Sequence, residues 1–195
     1  MWQRSMHASS TDGTATVAAL QEYRRRWPQE AEAVGQFLML LGDVDNPYLR
    51  NRVAGHLTGS AWLVDHSGMR VLLTHHRKLG RWLQLGGHAD GDRDLAQVAL
   101  REAQEESGLQ GLRVERELFD IDRHSIPQRG DVPGHWHYDA RYVVHAGDDE
   151  RYVVSDESHD LAWRGIAGIA ADPNADASLR RMAVKWCLRA NLPRG

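Results

Sequence analysis

The stretch Gly86–Leu109, GGHADGDRDLAQVALREAQEESGL, decides how the rest of the chain is read. Paired glycines open it, an acidic turn (Asp90, Gly91, Asp92) follows, and a helical pattern then takes over. Ala96, Ala99, Leu100 and Ala103 recur at the spacing of one buried helix face. Arg101, Glu102, Glu105 and Glu106 fall together on the adjoining arc, because residues three and four apart are neighbours on a helix surface. Carboxylates crowded on one arc repel one another, a cost that a hard divalent cation above them would offset. Gly108 suits the left-handed position that ends a helix, and Leu109 can pack back as the chain leaves. A run of glutamates on a surface helix usually means no more than a solvated face. Here the glycine pair, acidic turn, helix and closing glycine stand in a fixed order that points to a loop–helix–loop metal site.

With those residues in place, the stretch resembles the Nudix box, which sets a glycine, a glutamate, Arg-Glu, an aliphatic residue, a Glu pair and a closing Gly–aliphatic step at fixed offsets. Gly87 opens the box, Arg101-Glu102 and Glu105-Glu106 match its charged pairs, Ala103 fills the aliphatic place, and Gly108-Leu109 close it. One position departs: Arg93 stands where the box has its first glutamate. The resemblance implies that Glu105 and Glu106 ligate Mg²⁺ or Mn²⁺ with a carbonyl from the Gly86-Gly87 turn, Gly87 being the candidate. It implies that Glu102 binds metal-bound water or acts as general base, and that Arg101 orients the glutamates. In the family the first glutamate commonly pairs with that arginine. Arg93 cannot, since guanidinium groups repel, so Arg101 must turn to Asp92, Asp94 or Glu105.

The chain has 195 residues, enough for one domain with appendages and a substantial core. A formal net charge of −3 and a pI near 6.4 argue against sequence-independent binding to nucleic acid backbones. No apolar run approaches the roughly 18 residues of a membrane span. No positively charged segment followed by an apolar one marks a signal peptide. The single cysteine, Cys187, has no internal disulfide partner and sits in an apolar helical stretch, as a buried thiol would. Together these features suggest a cytoplasmic protein.

Outward from the box, Met1–Thr16 is rich in small polar residues without periodicity and is expected to be a frayed tail. Residues 17–53 read as a helical N-terminal extension. A first helix, Val17–Trp27, is broken by Pro28; a second, Gln29–Leu41, ends at Gly42. The role expected of this pair is packing or dimerisation. His56–Asp65 and Val71–Thr74, joined through His66-Ser67-Gly68, read as a hairpin. Arg77 and Lys78 follow, and they would either hold substrate phosphates, by forked and point-charge contacts respectively, or form an ordinary polar loop. Trp82–Leu85 leads into the box.

After it, Leu112–Asp122 reads as strand, and His135–Ala146 alternates strongly. His135, His137, Asp139, Arg141 and Val143 share one face of that strand; Trp136, Tyr138, Ala140, Tyr142 and Val144 share the other. The polar face would line a cavity or meet solvent. His137, Asp139 and Arg141 are taken as substrate-binding candidates. A zinc site from His135 and His137 is disfavoured, because neither a nearby cysteine nor a third histidine completes a tetrahedral set in the sequence. Arg151–Val154 reads as a short strand. The acidic loop before Leu161–Trp163 resembles a Nudix feature that supplies a further ligand or base, for which Glu157, then Asp156, is the candidate. An amphipathic helix from about Asp176 closes the chain.

Spacing alone leaves several α/β and α+β arrangements open. The resemblance implies an α/β/α sandwich with a mixed central sheet over residues 54–195. It also implies metal-dependent hydrolysis of a diphosphate linkage in a small nucleoside diphosphate derivative. An isomerase acting on a diphosphate would require a cysteine across an apolar pocket, and Cys187 is badly placed for that. Messenger-RNA decapping fits poorly with the acidic balance. The remaining alternative is a catalytically silent module that binds a nucleotide-like ligand, an alternative that Arg93 favours and the intact glutamates oppose.

Overall fold

The computed structural model describes residues 13–76, 80–154 and 158–190. The chain opens with helix α1 (Thr14–Arg26), a 3₁₀ turn at Pro28–Glu30, and helix α2 (Ala31–Leu41). The first helix thus starts at Thr14, ahead of the Val17 expected. Pro28 begins the turn, where its missing N–H is no loss. Strands β1 (His56–Val64), β2 (Arg70–His76), β3 (Arg81–Leu83) and β4 (Leu85–His88) lead into α3 (Leu95–Ser107). Strands β5 (Arg113–Ile126), β6 (His135–His145) and β7 (Ser158–Gly165), then helices α4 (Ile166–Ala171) and α5 (Ala177–Ala190), complete the order.

The sheet runs β3-β2-β1-β6-β5, with β4 also paired to β1 and β7 to β2. The β1–β6 pairing is parallel, and the other pairs are antiparallel, so the sheet is mixed. The expected β1–β2 hairpin forms only in part. Past Val64↔Val71 the strands diverge: β1 takes β4 and β6 as neighbours, while β2 takes β7. Arg151–Val154 forms no strand; its Val153 N–H instead bonds the Ser107 carbonyl at 2.8 Å.

Alternation along the strands divides the core in two. Ala61, Leu63, Leu72, Ala140, Tyr142 and Val144 pack on one face with α1, α2 and α3. Trp62, Val64, Val71, Leu73 and Val143 pack on the other with Ile166, Leu179, Met182 and Ala183 of α4 and α5. Cys187 is half-buried at the edge of this second cluster. The N-terminal helices belong to the first core: Leu20, Tyr23, Val34, Phe37 and Leu40 are buried in it, and Phe37 meets Tyr138 edge-on at 5.2 Å.

A buried ionic network fastens β5, β6 and α5. Asp120, fully buried, accepts from Arg141 at 3.0 Å, Arg181 at 2.8 Å and Lys185 at 2.6 Å. Asp122 takes Arg141 at 3.3 Å and Arg181 at 3.1 Å, and Lys185 reaches Glu30 at 2.7 Å. Burial opposes ionisation of Asp120, but hydrogen bonds from Arg181 and the charges of Arg141, Arg181 and Lys185 outweigh it, holding the carboxyl below its ordinary range.

Candidate active site

The glutamate helix is held at both ends by local chemistry. At its start the Asp94 carboxylate accepts the Gln97 N–H at 3.1 Å and pairs with Arg116 at 2.6 Å. At its end Gly108 adopts φ 70°, the left-handed cap expected of a glycine. Leu95, Ala96, Val98, Ala99 and Ala103 bury one face, leaving Glu102, Glu105 and Glu106 turned toward the β4 glycines and solvent.

The two glycines explain how closely helix and strand approach. The Gly86 N–H donates to Glu106 Oε1 at 2.7 Å. A Cβ on Gly87 would collide with the Glu102 carboxylate, and one on Gly86 with Ser60. Only glycine therefore lets β4 carry its backbone against the acidic arc. Arg101 donates to the His88 carbonyl and to Glu102 Oε1, both at 3.3 Å, and lies 3.6 Å from Asp92 Oδ2.

Arg101 therefore pairs first with Glu102 and, of the three carboxylates expected, stands beside Asp92, while Asp94 is committed to the helix cap. Arg93 turns away and lies over the Tyr48 ring at 5.6 Å. Next to this group Arg50 donates to Asp90, and the hydrogen bond and charge of Arg50 hold the Asp90 carboxyl below its ordinary range. Arg50 and Asp90 were missed as site neighbours by sequence reasoning; the acidic turn was visible, its arginine partner was not.

Of the candidates on β6, the structure brings His137, Asp139 and Arg141 onto one face but gives the last two another task. Asp139 accepts from Thr58 at 2.9 Å, Ser60 at 2.7 Å, Gln84 at 3.1 Å and Arg141 at 2.8 Å, which fills a carboxylate's lone pairs. Arg141 spends its fork on Asp139, Asp120 and Asp122. Each is only 2 % exposed, so neither presents a face to a diffusing ligand. The substrate-contact reading of Asp139 and Arg141 gives way to an interior, positioning one. Arg77, Lys78, Asp156 and Glu157 lie outside the described residues.

His137 keeps different company. The parallel register sets His56 beside it, and His88, His124 and His135 complete a group of stacked and edge-on imidazoles with neighbouring centroids 4.8–5.5 Å apart. The expectation that no third histidine joins His135 and His137 is therefore overturned. His56 and His88 are far from His135 and His137 along the chain, and the β1–β6 and β1–β4 pairings that gather them leave no mark in local periodicity.

The sandwich thus carries an acidic helix against a diglycine strand. The profile described as the NUDIX domain matches residues 56–185, and the chain belongs to the Nudix family. It is a pyrophosphohydrolase of that family. It is similar to a Clostridium perfringens NUDIX-family hydrolase, with 26% identity and TM-score 0.51, over 69% of this chain and 97% of that one. It shares its fold with the E. coli dihydroneopterin triphosphate pyrophosphohydrolase, at 15% identity and TM-score 0.54, over 68% and 95% of the two chains. The same holds for a C. elegans Ap4A hydrolase, at 14% identity and TM-score 0.52, over 69% and 96%. Comparison with curated proteins gives no significant match. Among the described residues, no helix is long and apolar enough to cross a membrane.

Proposed function

We propose that this protein hydrolyses a diphosphate linkage in a nucleoside diphosphate joined to another group, using Mg²⁺ or Mn²⁺. The observation that carries this reading is the seating of Glu106 on the Gly86 N–H and of Glu102 against Gly87, with Arg101 beside it. The donors are all hard oxygens, the set that suits a small alkaline-earth ion. Glu102, Glu105, Glu106 and the Gly87 carbonyl would hold the cation. When bound, it supplies neutralisation of the phosphate oxygens and acidification of water.

The chain's own residues account for the rest. Glu102 takes the proton of the attacking water as oxygen bonds to phosphorus and the bridging P–O bond breaks, its electron pair leaving on the departing phosphate. Arg101, set by Asp92 and the His88 carbonyl, keeps the Glu102 carboxylate in place. Arg77 and Lys78 would grip phosphate oxygens, and Glu157 would stand as a second carboxylate base. A cytoplasmic location and a homodimer complete the proposal. The silent-module alternative rested on Arg93, and Asp92 standing beside Arg101 weakens that ground.

The test is release of nucleoside monophosphate from a panel of nucleoside diphosphate derivatives, with and without Mn²⁺ or Mg²⁺. Turnover should require the cation and vanish with a chelator. Glu102→Gln should lose about 10²–10⁴ in kcat, the range for a removed general base, and Glu106→Gln should lose most activity with the fold intact. Full turnover in both variants would reject the assignment.

A further inference from the structure

We propose that His56, His88 and His137, with His135 closing the set, form a second metal site for one divalent transition ion of the zinc class. It lies on the opposite face of the sheet from the glutamates. Among the described residues, one ring nitrogen from each of His56, His88 and His137 lies within 4.8 Å of the other two, close enough for small side-chain rotations to complete a coordination sphere. His135 supplies the strongest geometric hint. Its Nδ1 lies 3.0 Å from the Pro133 carbonyl, which can only accept, so Nδ1 carries a proton and in the neutral ring Nε2 is the nitrogen with the lone pair. That Nε2 stands 3.3 Å from His137 Nε2. Zinc–nitrogen bonds of about 2.0–2.1 Å in a tetrahedron place neighbouring ligand atoms about 3.3–3.4 Å apart.

His56 adds an independent observation. It is 1 % exposed, and neither of its ring nitrogens has a hydrogen-bond partner. A buried imidazole that uses neither its donor nor its acceptor is uncommon unless something else satisfies it. The Arg52 backbone favours a proton on this ring without forming an aligned hydrogen bond, and it would serve as the outer acceptor once the other nitrogen binds an ion. His124, 3.4 Å from Asp122, packs on His137 from outside the set.

The ligand set is all imidazole, which suits zinc-class ions, whereas the glutamate arc suits magnesium. The two sites are nonetheless coupled through the chain. His88 directly follows Gly87, so an ion on the imidazoles would tie the diglycine strand to β1 and β6.

Titration of the full chain with Co²⁺ and Zn²⁺ tests this without reference to hydrolysis. The wild type should bind one equivalent of Co²⁺ with the visible absorption of a tetrahedral nitrogen site, and Zn²⁺ should displace it and raise Tm. His56→Gln and His137→Gln should each weaken binding by at least about 10- to 100-fold, while Glu105→Gln with Glu106→Gln should leave it unchanged. Anomalous scattering from Zn²⁺-soaked wild-type crystals covers the case in which a histidine variant misfolds, and should place the ion among the imidazoles. A wild type with no tetrahedral Co²⁺ signal, a signal lost with the glutamates but kept in His137→Gln, or an anomalous peak over the glutamates alone would overturn the proposal. Failure of the hydrolase reading would leave all these results unaffected.

Discussion

Gly87 has no room for a side chain, because the space a Cβ needs is held by the Glu102 carboxylate. Gly87→Ala is therefore expected to displace Glu102 and, with Glu102 as the proposed base, cut kcat at least about tenfold, since small misplacements of such a group are costly. Circular dichroism should stay unchanged while steady-state kinetics report the loss. Glu102, Glu105, Glu106 and Gly87 could be grouped as candidates because they sit on one continuous stretch with helical spacing, and Glu102 and Glu106 do lie against the β4 glycines. The partner of Arg101 was legible only as a choice among Asp92, Asp94 and Glu105; the structure sets Asp92 beside it, commits Asp94 to the cap, and adds Glu102, the nearer carboxylate. Asp139 and Arg141 were legible as a polar face but not as interior, since alternation gives the side of a strand and not what covers it.

Helix α3 carries the acidic arc, so its N-terminal cap bears on the site. Asp94→Ala removes the acceptor for the Gln97 N–H and the partner of Arg116. A loss of about 1 kcal/mol in unfolding free energy is expected by denaturant titration, with a smaller drop in activity than any glutamate variant gives. Helices and the longer strands follow from periodicity and from Pro28, Gly42 and Gly108. Strand partners do not. The β1–β6 parallel pairing joins segments separated by the whole acidic helix and β5, and loop-closing choices of that kind are settled by packing on both faces. His135 and His137 could be placed on one face, but His56, His88 and His124 could not be joined to them, for the same reason.

Across the whole molecule, the buried ions around Asp120 hold sheet and terminal helix together. Asp120→Asn would leave Arg141 and Lys185 buried with less than their compensating charge, and is expected to cost about 3–5 kcal/mol in denaturant unfolding. Acid should act on the same group. Asp120 and Asp122 are held below their ordinary value of 3.8: burial opposes this, and hydrogen bonds and cationic neighbours outweigh it. The unfolded chain takes up those protons first, so their stabilisation is whole above that value and is lost as pH falls below it. The denaturant midpoint should drop between about pH 5 and about pH 3, and Asp122→Asn should flatten the drop.

Lys185 draws the N-terminal helices into this account. Its ammonium meets Tyr23, Glu30 and Asp120, and lies over the Trp27 ring at 4.7 Å. The family match begins only at His56, yet a protein shortened to that boundary would uncover the berth of Phe37 and strip this ammonium of most of its company. The opening hairpin of helices is then less an ornament on an autonomous catalyst than its missing wall. A single calorimetric transition that takes both ends of the chain with it is the expected signature.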